Sequence, residues 1–179
     1  ILREETTPYG FLQSVDIPFT IKDTKEIQKL EMQDEIPQGR LEVIKHDSED
    51  QEMLLQGAEF ELFNKTLGIS CGKQETDQQG KAGFLAQPIG FMDKNGKFCP
   101  YDYLVRETKA ASGYMLSEKI MEFQFEYKDE KTSLIKLTYD PVNDSNRVQI
   151  KKLLGDTLEY LEGAVLQLER EDEVIKENA

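Results

Sequence analysis

The sequence has no tryptophan, one histidine and two cysteines in 179 residues. With His46 alone, the imidazole chemistry that serves most acid–base catalysis and most zinc sites lacks material. Cys71 and Cys99 are too few for a disulfide framework, although one bridge between them is compatible with an exported protein. The missing tryptophan counts against a sugar-binding surface, where exposed rings do the stacking. Basic residues are scarce too: 22 Lys and Arg stand against 35 Asp and Glu, for a formal net charge of −13. Such a balance argues against nucleic-acid and anionic-membrane partners, both of which need basic patches. No apolar run approaches the roughly 20 residues of a membrane span, and no signal peptide is recognisable. The acidic stretch HDSEDQE (46–52) lacks the spaced ligands and glycine of a known calcium loop, and there is no Gly-rich phosphate loop, so neither metal nor cofactor is expected. The chain starts at Ile1 without an initiator methionine and reads as a piece of a longer protein. What remains is an ordinary globular composition, 38% hydrophobic and 32% charged.

Short alternating segments dominate what is present. Leu41, Val43 and Lys45 share one side, with Glu42, Ile44 and His46 opposite. Ala58, Phe60 and Leu62 oppose Glu59 and Glu61, and Met121, Phe123, Phe125 and Tyr127 oppose Glu122, Gln124 and Glu126. The same parity runs through Val15, Ile17, Phe19 and Ile21. Period-two alternation predicts half-buried strands, and DQQGK (77–81), DKNGK (93–97) and PQG (37–39) supply turns between them. Together they predict an all-β, antiparallel sandwich. Residues 158–179 fit either a helix, through Leu158, Leu161, Val165 and Leu168, or a strand; the repeat described next favours a strand over Gly163–Glu169.

The chain repeats itself out of phase. LREETTPYGFLQSVDIPFTI (2–21) aligns with VRETKAASGYMLSEKIMEFQF (105–125), pairing Glu4 with Glu107 and Gly10 with Gly113. GRLEVIKHDSEDQEMLLQGAEFELF (39–63) aligns with NRVQIKKLLGDTLEYLEGAVLQLER (146–170), pairing Lys45 with Lys152. A fixed spacing implies tandem units. Residues 1–37 read as the last strands of one unit, 38–143 as a complete unit, and 146–179 as the first strands of a third.

Two charged residues fall on inward sides. Lys45 continues the Leu41/Val43 side, as Lys152 continues Val148/Ile150; Glu107 continues Tyr103/Val105, as Glu4 continues Leu2. Burying either charge alone costs several kcal/mol, so such groups pair, neutralise or react. One reading is a buried ion pair, or a lysine snorkelling at a strand end. The other is covalent: a neutral amine is a nucleophile, a protonated glutamic acid polarises a carbonyl, and an Asn or Asp beside them is the electrophile. That product is a side-chain amide made once, without turnover, so the chain is not expected to be an enzyme.

The segments VIKHD, LLQGAEFELF, TDQQGKAGF and YDYLVRETKAASGY, in that order, resemble the Cna-B/SpaA-type domains of Gram-positive surface proteins and pilins. The resemblance implies a prealbumin-like, Ig-like β-sandwich, tandem stacking into stalks, and a Lys–Asn or Lys–Asp isopeptide bond promoted by a glutamate. By resemblance Lys45 is the amine and Glu107 the promoter, with Glu4 its equivalent in the preceding unit. The family places its acceptor on the last strand, a set distance before the next unit's lysine. Counted that way, Asp34 precedes Lys45, and Asp140 precedes Lys152 with Asn143 as its rival. The partial units thus carry Glu4 and Asp34 at one end and Lys152 at the other. Two departures stand out: Ala111 replaces a proline that Pro8 keeps, and IGFMDKNGKFC (89–99) is an insertion. The implied role is a structural segment of a cell-surface pilin or adhesin, extracellular or wall-attached, whose partners are neighbouring domains of the same protein. The alternative is a ligand-binding adhesin module that uses the 89–99 loop to meet a host or matrix ligand.

Overall fold

The protein was analysed as a computed structural model that describes residues 1–148, 150–153, 155, 163, 165–170 and 173–178, with 166–170 and 173–178 described by their backbone. The described residues form strands and turns without a helix, so none of them builds a helix long and apolar enough to cross a membrane. In chain order the strands are β1 (Gln38–Ile44), β2 (His46–Asp47), β3 (Glu59–Asn64), β4 (Ile69–Glu75), β5 (Lys81–Gly83), β6 (Gln87–Pro88) and β7 (Gly90–Met92). They continue with β8 (Phe98–Pro100), β9 (Tyr103–Lys109), β10 (Ile120–Phe123), β11 (Leu134–Tyr139), β12 (Val142–Asn143), β13 (Leu166–Arg170) and β14 (Glu173–Asn178).

Two sheets make the sandwich. One has the order β11-β1-β5, with β6 also paired to β1; the other runs β10-β9-β3-β4 and is antiparallel throughout. Their inner sides follow the predicted parity. Leu41, Val43, Phe60, Leu62, Tyr103 and Val105 are all at most 1% exposed, while the residues between them face outward. Each large apolar side chain buried this way contributes about 1.5–3 kcal/mol. Phe125 closes the core over Gly39: a Cβ at that glycine would stand 2.1 Å from the ring, so only glycine leaves room for it. Tyr103, Phe123 and Phe125 pack ring to ring with centroids 5.2–5.8 Å apart.

Two pairings depart from an antiparallel plan. β1 runs parallel to β11, from Gln38 opposite Leu134 to Val43 opposite Tyr139, and β2 runs parallel to β12, with His46 opposite Val142 and Asp47 opposite Asn143. Parallel partners end at the same pole, so the residues that follow β1 and β11 emerge together. That geometry builds the site described below.

Two local expectations are corrected. Residues 15–21 form no strand; Leu2–Ile17 and Leu12–Glu35 make isolated bridges, and Val15 and Ile21 stay more than 80% exposed. Alternation there meets no second layer among the described residues, and without burial it does not become a half-buried strand. Cys71 and Cys99 are free thiols, one on the sheet-edge strand β4 and the other on β8 in a separate hairpin, so no bridge joins them. Burial pushes the Cys71 thiol above its usual range.

The chain divides into two compact units, Ile1–Asn146 and Arg147–Ala179. In the second, β13 pairs antiparallel with β14 across a register shift between Leu168 and Glu169, so strand prevails over helix at 166–170. Leu158 and Leu161, the other half of the helical pattern, lie outside the described residues. Lys152 is exposed, as are Val148 and Ile150, so the inward side expected of that strand is not formed among the described residues.

Candidate functional site

Lys45 sits in the break between β1 and β2. Its backbone is held on both sides: its N–H donates to the Gly80 carbonyl at 2.8 Å, and its own carbonyl accepts from Leu55 N–H at 2.9 Å. The Thr76–Gly80 turn supplies that clamp. Asp77 Oδ1 accepts from the N–H groups of Gln79 and Lys81, and Gly80 adopts φ +64° at a place where a Cβ would fall 2.8 Å from the Lys45 carbonyl oxygen. A side chain at Gly80 would be strained and would collide with that oxygen. Thr76 Oγ1 donates to Leu55 O at 2.7 Å and accepts from Ala58 N–H at 3.0 Å, tying the turn to the segment that leads into β3. Local turn chemistry thus fixes where the lysine enters the core.

The Lys45 side chain runs inward and is fully buried, its Nζ 5.6 Å from the centre of the Phe60 ring. Glu107 enters from the facing sheet, on β9, opposite Phe60 of β3, with its side chain 1% exposed. Asn143 arrives from β12, beside β2, and is 3% exposed. Lys45 Nζ donates to Asn143 Oδ1 at 2.6 Å. Asn143 Nδ2 donates to Glu107 Oε1 at 2.8 Å and to Oε2 at 3.0 Å. Lys45 Nζ and Glu107 Oε1 are 3.6 Å apart, and Ser117 N–H donates to Glu107 Oε2 at 2.9 Å. Burial pulls the Lys45 ammonium below the usual lysine range, with Glu107 opposing in part.

This arrangement has a defined chemical capacity. The carboxamide carbon of Asn143 lies beside an amine that its surroundings push toward the neutral, nucleophilic form. Its nitrogen rests on a carboxyl group able to receive a proton from Nζ and return it to Nδ2. Attack by Nζ forms the Nζ–Cγ bond, the Cγ–Nδ2 bond breaks, and Nδ2 leaves as ammonia. One amide is made and one is lost.

Asp140, the other candidate acceptor, lies elsewhere. Its side chain is 59% exposed and its Oδ1 stands 3.9 Å from His46 Nε2 on the outward side. Ile135, Leu137 and Tyr139 set an inward parity on odd positions, which leaves Asp140 outside and carries through Pro141 to Asn143. That continued parity is the sequence signal for Asn143; the DPVNDSN stretch hides it behind loop-forming residues. The remaining neighbour, Tyr114, donates its hydroxyl to Asp47 Oδ2 at 2.9 Å at the same pole. Desolvation, then that hydrogen bond, push its phenol above the usual range.

The first 35 residues repeat half of the site. Ser14 N–H donates to Glu4 Oε2 at 2.8 Å, as Ser117 does to Glu107. Leu12 N–H donates to Glu35 O, as Met115 N–H does to Asp144 O, and this common bond registers Asp34 with Asn143. Ser14 Oγ also donates to Asp34 Oδ1 at 2.7 Å. Glu4 is half-buried and Asp34 exposed, and Ser14 is the residue that links them.

The family model of the SpaA prealbumin-like fold domain matches residues 39–140, more than half of the chain. Among solved structures, the Bacillus anthracis TIE protein is similar with a TM-score of 0.62 and 26% identity, over 80% of this chain and 24% of that one. This chain therefore spans about a quarter of that protein's length. Domains D2 and D3 of the major pilin SpaD from Corynebacterium diphtheriae align with a TM-score of 0.47 and 23% identity, over 60% of this chain and 47% of that one. The shaft pilin SpaA from Lactobacillus rhamnosus GG aligns at 0.46 and 19%, over 73% and 59%. No curated protein matches the sequence.

Proposed function

Because the chain belongs to the family of SpaA prealbumin-like fold domains, we propose that residues 38–143 are one load-carrying unit of a tandem cell-surface stalk, stapled by an amide between Lys45 and Asn143. The observation that carries this is the buried triad: a carboxamide hydrogen-bonded to an amine on one side and a carboxyl on the other, the two 3.6 Å apart inside the sandwich. The triad is not an enzyme site. Its reaction consumes its own side chains, and Glu107 is the promoter of a single event.

The staple's position gives it a mechanical meaning. It joins the end of β1 to the end of β11, the first and last long strands of the unit. Tension entering before Lys45 and leaving after Asn143 then passes through one amide. The intervening 98-position span is bypassed and its sheets carry no load. Glu4 and Asp34 are read as the promoter and acceptor of the preceding unit, and Lys152 as the amine of the following one. This reading places the protein outside the cell, attached to a surface, with neighbouring units as its partners. The adhesin alternative rests on the 89–99 insertion. Phe98 of that segment is covered by Gly10, which favours a structural role for it.

Intact-mass spectrometry tests the staple. The purified chain is expected to be lighter than its calculated mass by one ammonia, and Lys45→Ala to carry its full calculated mass. Wild type at full mass overturns the proposal.

A further inference from the structure

The insertion 89–99 has no part in the triad, yet it is firmly built. Ile89, at its root, is fully buried, and Tyr103 donates its hydroxyl to Pro88 O at 2.7 Å. Tyr101 N–H donates to Ile89 O, and the Phe91 and Tyr101 rings stack with centroids 5.1 Å apart. The tip is a tight turn in which Asp93 Oδ1 accepts from Asn95 and Lys97 N–H and Gly96 takes φ +75°. A rigid β7–β8 hairpin therefore stands on the core, and what it presents is Phe98.

Phe98 lies between two glycines. A Cβ on Gly90 of its own hairpin would fall 2.5 Å from the ring, and a Cβ on Gly10 would fall 2.3 Å from it. Gly10 is buried, has φ +95°, and belongs to the Pro8–Phe11 turn, closed by Phe11 N–H donating to Pro8 O. Tyr9 packs edge-on against Phe98 at 5.9 Å and against Tyr127 at 4.8 Å. Tyr127 donates its hydroxyl to Phe11 O at 2.9 Å, and Gln13 N–H donates to Glu130 O at 2.8 Å. Two rings, a ring-on-backbone contact and two hydrogen bonds converge on one aromatic–glycine turn.

We infer that the β7–β8 hairpin and Tyr127 form a receptor for the aromatic–glycine turn of the preceding unit, a lock that fixes the orientation of one unit on the next. The partner it accepts is defined by chemistry: a glycine small enough to admit Phe98, preceded by a ring that packs against Phe98 and Tyr127. The second copy of the turn differs at that position. Ser112-Gly113 stands where Tyr9-Gly10 does, so the second copy of the turn lacks the ring that packs against Phe98 and Tyr127 in the first. The inference rests on the tandem reading of residues 1–37, but not on the staple.

Hydrogen exchange on the full chain tests it, comparing wild type with Tyr9→Ser, Tyr127→Phe and Phe98→Ala. Tyr9 is 70% exposed, so Tyr9→Ser removes ring contacts without opening the core. Each variant is expected to speed exchange at Gln13 about tenfold, the opening expected from losing an aromatic pair or its equivalent. The Lys45 and Leu55 amides, which report the body of the sandwich, are expected to keep their protection. Unchanged exchange at Gln13 in Tyr9→Ser and Tyr127→Phe overturns the lock. So does an equal rise at Lys45 and Leu55, which would make the contact one of general stability. Intact mass, read on the same samples, reports separately on the staple.

Discussion

Replacing Glu107 by glutamine leaves a side chain of nearly the same size beside Asn143 and removes the carboxyl that moves the proton. The proposed Lys45–Asn143 bond is then not expected to form. In wild type that bond would close a loop of 98 positions. In the chain-entropy account a cross-link of that span destabilises the unfolded chain by about 4.7 kcal/mol. For a domain near a hundred residues, ~1 kcal/mol moves Tm by about 4–8 °C. E107Q is therefore expected to melt on the order of 20 °C below wild type, or lower still if the unpaired buried amine adds its own cost. Calorimetry reads the shift, and intact mass on the same samples reads the bond: wild type short by one ammonia, E107Q at full calculated mass. The reasoning is refuted if E107Q keeps the ammonia deficit. It is equally refuted if the deficit disappears while Tm moves by no more than a few degrees.

Other outcomes follow from the same geometry. Asn143→Asp places a carboxyl where the carboxamide was, so the chain should lose one water in place of one ammonia; an unchanged loss of one ammonia would mean that the acceptor is another residue. Asp140→Ala should leave both the mass deficit and Tm as in wild type, since that side chain is exposed beside His46. Glu107→Ala leaves Lys45 as a free buried amine whose folded pKa lies below the ordinary lysine value. Between those two values the unfolded chain binds more protons, so stability in E107A rises with pH and is lost as pH falls through the folded value. Tm measured at about pH 7 and about pH 9.5 should increase, and a flat profile would contradict the burial argument. Thr76→Val strands Leu55 O and Ala58 N–H inside the sandwich, for about 1–3 kcal/mol each, read as a lower denaturation midpoint.

Much of this protein was written locally. Alternation placed Lys45 and Glu107 among inward side chains, and the Thr76–Gly80 turn and the alternating run that becomes β3 were recognisable because their chemistry acts over a few residues. Side-chain direction is a period-two property, so a short segment encodes it completely. Which strand lies beside which is not local. Asn143 meets Lys45 because β1 and β11 run parallel in a register that continues unchanged from Val43–Tyr139 to Asp47–Asn143. No pattern within either strand specifies that register, and Pro141 makes the last step look like a loop. The same limit explains residues 15–21, where correct alternation found no second layer to bury it and stayed exposed. It also explains the hairpin at 89–99, readable as an insertion but not as a seat for Gly10. The sequence by itself determined which side chains point inward. Only the tertiary structure decided what they meet there, because contact across a sandwich depends on strand partners and register set by the whole chain.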